Sequence, residues 1–375
     1  MKNINDDISQ LKLRVGYVET GNADIGSNAF AAYYAQPAYL NPDESILIGV
    51  FPSRLENPDL KWETTKETNI GLDFQLLKER LSGSVEVYNK EISDLLQLKP
   101  INSYHEVNAV WANIGSTQSR GVELTLNSVN VDTENIKWKS TLTFSKFKDR
   151  WKERAGDWKP AIYQNVDDPI RAQYSYLSDG VMQIGEVVTA QPELFPGQIK
   201  IKDVNGFSRD GSGNPVVDEN GRFIATGEAD GKIDEADIVL LGSSDPDFIA
   251  GFSNSISYKN FELNVHFNGM FGREMVDPTD VAMGVSADGV WANGRNVLRS
   301  IYDRWTPDNP TNNRPASHYG YTQYSSGDFF LQDAWFIRLQ NLSLAYYMPS
   351  KWFGKLVNSA NVRLDAQNLF VITPY

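Results

Sequence analysis

WETTKETNIGLDFQ (62–75), LLKER (76–80) and LSGSVEVYNK (81–90) form the stretch that decides the fold. In the first segment Ile70, Leu72 and Phe74 alternate with Asn69, Gly71, Asp73 and Gln75. In the third, Leu81, Val85 and Val87 alternate with Ser82, Ser84, Glu86 and Tyr88. A period of two puts apolar side chains on one face of a strand and polar ones on the other. The short polar link predicts an antiparallel hairpin. Each strand runs to about ten residues or more, beyond the 5–6 of most soluble strands. That length also suits a tilted strand crossing a bilayer. A long hairpin in a soluble β-sandwich has the same pattern, so the hairpin alone leaves both folds open.

Composition narrows the choice. The chain has 375 residues, 41% hydrophobic and 12% aromatic, with formal net charge −13 and mean hydropathy −0.41. It is not a disordered composition, and it contains no apolar run of helix-spanning length. A transmembrane barrel stays open, because its strands are only half apolar. The acidic balance argues against nucleic acid as a partner, since phosphate binding needs a basic surface. Cysteine is absent, which removes thiol catalysis, disulfides and thiolate metal sites. The first residues, MKNINDDISQ, lack a signal-peptide core. The expectation is a cytosolic protein or a chain whose natural start lies upstream.

Along the chain the same alternation marks further strands: Leu11–Tyr17, Ser119–Asn130, Ile136–Lys148, Phe248–Tyr258, Phe261–Asn268, Asp333–Tyr347 and Ala360–Ile372. The links Leu77–Arg80, Val131–Asn135, Lys259–Asn260 and Met348–Asn358 are short. The intervening connections, including 149–244 and 270–332, are long. A sandwich has no reason to alternate loop lengths this regularly. An outer-membrane barrel does, with short periplasmic turns and long extracellular loops. Tyr346, Tyr347, Trp352 and Phe353 lie at a strand end, where an interfacial aromatic girdle would sit. The predicted fold is therefore all-β, an antiparallel transmembrane β-barrel portion. Leu72, Phe74, Val85, Val87, Leu124, Leu263 and Val265 are assigned to the lipid face, and Asp73, Glu86, Glu123 and Glu262 to the lumen.

Several stretches resemble one family in its own order from end to end. They are LKLRVGYVETGN (11–22), NPDLKWETTKETNIGLDF (57–74), NIGSTQSRGVELTLN (113–127) and PGQIKIKDVNG (196–206). DGKIDEADIVLLGSSDPDF (230–248), GFSNSISYKNFELNVHFNG (251–269), RWTPDNP (304–310), FIRLQNLSLAYYMP (336–349) and QNLF (367–370) complete the set. The chain resembles the C-terminal part of a SusC/RagA-type TonB-linked outer-membrane transporter. The resemblance implies a barrel in the outer membrane of a Gram-negative bacterium that imports large nutrients, glycan fragments or peptides. A SusD-like surface lipoprotein would cap it, and the TonB complex would drive it through an N-terminal part that lies upstream. About nine strands are countable, against the roughly 22 of plugged transporters. Residues 1–375 are thus expected to be a barrel portion truncated at both ends, with 149–244 as a long extracellular loop region.

That region holds the richest chemistry. The resemblance implies a compact acidic loop of the form D-x-N-G-D-G-x-I-D-x-x-D. Asp203, Asn205 and Gly206 supply its first third, and Asp230, Gly231, Lys232, Ile233, Asp234 and Asp237 the rest. Between them lies an insert, 207–229, which reads as a β-hairpin with Asn220-Gly221 at a type I′ turn. Excising it leaves oxygen donors in the order of a calcium loop, with Gly at the sharp turn. An aspartate stands where such loops use a longer glutamate. A structural calcium ion is one expectation, a solvated acidic turn the other; no cofactor is required for function.

No catalytic constellation appears. His105-Glu106 does not complete HExxH, no G-x-S-x-G or Walker A motif is present, and nothing spaces Asp167-Asp168 for glycoside hydrolysis. His266 falls on the polar face of its strand, and His318 in a connection. The chain is not expected to be an enzyme. Trp111, Trp151, Trp158, Trp291, Tyr319, Tyr321 and Tyr324 lie in long connections. Flat apolar rings there suit sugar faces or peptide side chains, or pack the loops together. Two other readings remain: a cell-surface all-β binding module, such as an adhesin or carbohydrate-binding domain, and an outer-membrane protein without transport.

Overall fold

The computed structural model describes residues 7–22, 24, 33–35, 38–49, 51–102, 107, 109–219, 221–285, 296–317, 327–354 and 357–374. Nine long strands carry the fold: β1 (Ile8–Asn22), β2 (Glu63–Leu76), β3 (Leu81–Ser93), β4 (Ser116–Asp132) and β5 (Ile136–Glu153), then β6 (Phe248–Tyr258), β7 (Phe261–Phe271), β8 (Phe336–Met348) and β9 (Ala360–Ile372). They form one sheet in which each strand neighbours the next in sequence. The expected short links fall between β2 and β3, β4 and β5, β6 and β7, and β8 and β9. No helix is long and apolar enough to cross a membrane among the described residues, which says nothing of the strands.

Several strands outrun the alternation that predicts them. β4 includes Val131 and Asp132, which the sequence assigns to a turn, and β5 continues through Asp149–Glu153 into what reads as loop. Ladder hydrogen bonds involve the backbone, so charged side chains at a strand end do not stop the pairing. β8 begins at Phe336 rather than Asp333, because Leu331–Asp333 pairs separately with Glu274–Val276.

The chain divides into two compact units, Met1–Thr125 with Phe147–Trp158, and Leu126–Lys146 with Lys159–Tyr375. In the first, β1, β2 and β3 pair in register through Val15↔Ile70 and Ile70↔Val87. One face carries Leu11, Leu13, Val15, Tyr17, Ile70 and Val87, all more than half exposed. The other carries an ion triad. Arg14 Nε and Nη2 donate to the two carboxylate oxygens of Asp73, each at 3.0 Å, and Nη2 also donates to Glu86 at 3.2 Å. On the same polar face the Tyr88 ring lies over Gly121, where a Cβ would come within 2.5 Å of it.

In the second unit β5 to β9 pair through Phe252↔Phe267, Leu263↔Leu344 and Leu344↔Leu364. Phe252, Phe261, Leu344 and Leu364 are again exposed. On the opposite face Ser253 Oγ and His266 Nδ1 are 2.7 Å apart across the β6–β7 pair. Extra residues at Gln340 on β8 and near Asn368 on β9 shift the register at that level. In both ladders the apolar and the polar residues of the alternation fall on opposite faces.

The short links are tight. Leu77, Lys78 and Glu79 all adopt positive φ in the β2–β3 turn, and Lys259 does so at φ 53° between β6 and β7. These conformations disfavour L side chains by about 1–2 kcal/mol per residue.

The buried apolar residues sit largely outside the sheet. Val181, Ile199, Ile201, Ala236, Ile301, Trp305 and Phe330 lie in the long connections, whereas Leu339 and Ala345 are the buried apolar residues within the nine strands. Large aliphatic side chains thus stand outward on the apolar face of the strands, while the buried apolar residues gather in the connections.

Candidate ligand-facing loops and acidic clip

In the second unit the described residues of the connections 159–247 and 272–335 fold into one module. Its framework is three short pairings: Ala172–Ser175 with Val239–Ser243, Ser178–Val181 with Ile199–Ile201, and Glu274–Val276 with Leu331–Asp333. Ile199, Ile201 and Phe330 form the core, flanked by Tyr176, Ile233, Val276, Val281 and Phe329. Polar side chains fasten the two connections. Trp305 Nε1 donates to Gln183 Oε1 at 2.9 Å, and Asn312 Oδ1 accepts from Val181 N at 3.1 Å. Asp328 Oδ1 accepts from Ser178 N at 2.7 Å. Arg314 grips both oxygens of Asp280, at 2.8 and 3.0 Å, with both side chains largely buried. Gly197, at φ 96°, lets Trp305 approach to 2.7 Å of where a Cβ would stand, so no other residue fits there.

The acidic stretch is a clip in this module. Asp203 accepts from Asp230 N at 3.1 Å with one oxygen and from Gly231 N at 2.7 Å with the other. Asn205 Oδ1 accepts from Gly206 N and Gly227 N at 3.0 and 2.7 Å. Asp230 Oδ1 accepts from Lys232 N at 3.1 Å. Asp234 caps the short 3-10 turn Glu235–Asp237 through Ala236 N at 2.9 Å. Asp237, fully buried, accepts from Val204 N and Asn205 N with Oδ1 and from Asp234 N with Oδ2. Burial pushes its carboxyl up from the usual range, against the pull of those three amides. The two ends of the insert thus return to one place. The oxygens of Asp203 and Asp237 face backbone amides. No group of three His, Cys, Asp or Glu side chains is placed to hold a metal ion among the described residues.

Within the insert the expected hairpin pairs Val217 with Phe223, and a third segment joins it. Three segments pair around a closed triangle: Phe207↔Ala225, Arg209↔Pro215 and Val217↔Phe223. Ser208 N donates to Ile224 O, Ile224 N to Val216 O, and Val216 N to Ser208 O. Phe207 and Phe223 meet edge to face, with centroids 5.3 Å apart. At the second corner Gly221 N donates to Asp218 O and Asp218 N to Arg222 O. The bend therefore spans Asp218–Gly221 with Gly221 at φ 78°, rather than a two-residue turn; Asn220 lies outside the described residues. An eight-residue repeat signals this arrangement: Phe207-Ser-Arg-Asp210, Pro215-Val-Val-Asp218 and Phe223-Ile-Ala-Thr226. Asp210, Asp218 and Thr226 each accept a backbone N–H at the corner that follows.

Of the loop aromatics, Trp151 and Trp158 come together in the first unit, with the Arg154 guanidinium 4.4 Å from one ring and 4.7 Å from the other. Trp111 lies in Ala109–Asn113, paired with Leu96–Pro100. Its indole Nε1 is buried with no hydrogen-bond partner. Trp291, Tyr319, Tyr321 and Tyr324 lie outside the described residues, as do His105 and His318. The residues that organise the loops, Gln183, Gln191, Asp280, Trp305 and Arg314, carry no motif. Gln191, 1% exposed, accepts from Ile201 N at 2.8 Å. Only the RWTPDNP stretch around Trp305 is legible in advance.

Residues 3–185 match a family model described as TonB dependent receptor-like, beta-barrel. TonB-dependent receptor P26 of Formosa agariphila is 30% identical over 384 residues, covering 98% of this chain and 36% of the relative. TonB-dependent receptor SusC of Bacteroides thetaiotaomicron is 25% identical over 390 residues, covering 100% of this chain and 35% of the relative. Among solved structures, the RagAB peptide transporter superposes with TM-score 0.76 at 24% identity, over 98% of this chain and 38% of that one. The chain spans about a third of the length of the relatives it matches.

Proposed function

We propose that this chain, which is a stretch of β-barrel of the SusC/RagA type of TonB-dependent receptor, forms wall and outer loops of an outer-membrane importer of large nutrients. The observation that carries the reading is the two-faced sheet. In the first unit Val15, Ile70 and Val87 stand exposed on one face and the Arg14–Asp73–Glu86 triad on the other; in the second unit Phe252, Leu344 and Leu364 stand exposed on one face. Lipid is the solvent that suits the first face, and a water-filled or plugged lumen suits the second. The long connections then lie outside the cell, where the 172–333 module serves as a preformed platform. Substrate is a glycan fragment or a peptide, met by rings such as Trp151 and Trp158 beside Arg154. The module's partner is a SusD-like surface lipoprotein, and energy comes from the TonB complex through parts of the receptor outside this chain. The role is transport, not catalysis.

Calcium at the clip is a proposal of the same kind. Asp203, Asn205, Asp230 and Asp234 supply hard oxygen donors, and an ion there would have to displace amides they now accept from. Its role would be to fix the loop, and slower proteolysis of 203–237 with calcium than with a chelator tests it. The experiment for the main reading is membrane extraction followed by uptake. The receptor should stay in the membrane through carbonate and urea washes, and its deletion should abolish growth on an oligomeric nutrient. Release without detergent would instead identify a cell-surface binding module.

A further inference from the structure

On the polar face of the second unit, one ladder row near the long-connection end holds a cation that the chain leaves unanswered. Asn268 on β7 opposes Gly251 on β6 and Arg338 on β8. Asn268 follows His266 at two-residue spacing, so this row shares the face of the Ser253–His266 contact. Arg338 is half-buried. Its Nε, and Asn268 Oδ1 directly opposite, are buried without a hydrogen-bond partner among the described residues. The chain has 48 aspartates and glutamates, yet no described carboxylate stands within ion-pair distance of Arg338. The Phe336 ring holds the guanidinium from one side, with Cζ 5.2 Å from the ring centroid.

A half-buried guanidinium without an acceptor is unfavourable, and a partner that brings one is favoured in proportion. The group that answers a planar fork of N–H donors is an oxyanion with two oxygens, a carboxylate above all. The next row toward the short turns says what carries that carboxylate. Thr141, Ser253, His266, Asn341 and Gln367 are successive register neighbours from β5 to β9. The row contains no carboxylate, lysine or arginine and no aliphatic side chain. Its hydroxyls, amides and imidazole both donate and accept, which matches the hydroxyls of a sugar ring. The apolar side chains of a peptide would find nothing there to pack on.

We propose that Arg338 is a specificity-determining residue of the lumen wall. It takes the carboxylate of an acidic sugar unit, while hydroxyls of the same chain lie along the Thr141–Gln367 row. Arg338 is the third residue of β8, just below the connection 272–335, so an oligosaccharide entering from that side meets it early. This inference rests on the importer reading above and narrows its substrate to acidic glycan fragments.

The test uses the complete receptor with its lipoprotein partner, purified from membranes. Calorimetric titration compares oligouronates prepared from pectin, alginate and glucuronan, each beside its carboxyl-reduced, neutral counterpart. At least one acidic probe should bind, and its reduced counterpart should bind on the order of 10- to 100-fold more weakly, the worth of a hydrogen-bonded charge. Arg338→Gln should weaken the acidic probe by the same factor and leave the neutral one unchanged. Arg338→Lys should keep part of the preference. Asn268→Asp hands Arg338 a carboxylate from the directly opposed position; it should abolish the preference in a barrel that still folds. Lys139→Gln, on the same face at the level of Ser255, should change nothing. Equal affinity for acidic and reduced probes overturns the proposal, as does no binding across the panel. So does an acidic preference that survives both Arg338→Gln and Asn268→Asp. Tighter binding of tetraglutamate than of every sugar would overturn it too, as would a carboxylate from the rest of the receptor seated on Arg338. Failure of the importer reading shows elsewhere: the protein would leave the membrane without detergent. Failure of this inference alone leaves a membrane-bound importer of neutral substrates.

Discussion

Replacing Val87 by arginine places a charge at the centre of the outward face. β3 spans 13 residues. At about 3.3 Å per residue it is about 43 Å long, and at the roughly 40° tilt of such barrels it crosses about 33 Å of membrane. Val87 is its middle residue, paired with Ile70, which pairs in turn with Val15. All three are more than half exposed, Val87 at 55%. In water, a substitution at so exposed a site changes stability by no more than about 0.5 kcal/mol. In lipid, an arginine at the midplane costs about 2–4 kcal/mol. The difference is large enough to read the solvent. Ser84→Arg is the matched control: it lies on the inward face opposite Asp73 in the register, where an added guanidinium has a carboxylate to meet. The assay is urea refolding of the complete receptor into bilayers, scored by heat-modifiable migration. Val87→Arg should shift the midpoint by about 2–4 kcal/mol and Ser84→Arg by about 1 kcal/mol or less. Equal effects, or the larger effect at Ser84, would refute the assignment of faces.

Other outcomes follow from the loops and turns. Asp237→Ala removes the acceptor of three backbone amides from a fully buried position. It should loosen 203–237 by about 1–3 kcal/mol in hydrogen exchange while the strand ladders keep their protection. The clip and its neighbour should respond oppositely to pH. Lys200, with help from Gln183 N, holds Glu186 below the usual carboxylate range. That stability is present above the unfolded pKa and is lost as pH falls through the folded one, so exchange at 183–200 should quicken in acid. Asp237 is shifted upward, so its contribution is fully present below the unfolded pKa and is lost as pH rises through the folded one. Acid should therefore not loosen 203–237 through this group. Lys259→Val puts a β-branched residue at φ 53° and should destabilise the β6–β7 hairpin by about 1–2 kcal/mol, measured by the same refolding assay. No change would mean that the turn relaxes to another conformation.

What was legible in advance follows from what each feature depends on. The hairpin of β2 and β3 depends on alternation and link length, both visible from Asn69 to Tyr88. The outer end of β5 was hidden because Lys148, Arg150 and Lys152 replace apolar residues on the outward face, which ends the alternation signal although the ladder continues. The loop core was hidden for the opposite reason. Ile199, Ile201 and Phe330 are brought together by pairings between connections far apart in sequence, and no local period encodes that. The aspartates of the acidic stretch were visible, and Asp203 and Asp230 do meet. Their use as acceptors for backbone amides depends on chain geometry that composition does not carry. The triangle at 207–225 was readable from its eight-residue repeat, but the single strong turn signal at Asn220-Gly221 suggested a two-stranded hairpin instead.

The central claim is that alternate residues of these strands face lipid and lumen. The chain has no cysteine, so single cysteines report cleanly within it. The decisive measurement places one at Asp73, Phe74, Val85, Glu86, Val87, Glu123 or Leu124 of the receptor in native outer membranes. Each carries a fluorophore tested against nitroxide-labelled lipid and against a water-soluble quencher. The account predicts lipid quenching at Phe74, Val85, Val87 and Leu124, and aqueous quenching at Asp73, Glu86 and Glu123. Uniform aqueous quenching along β2, β3 and β4, or quenching with the opposite phase, would contradict it.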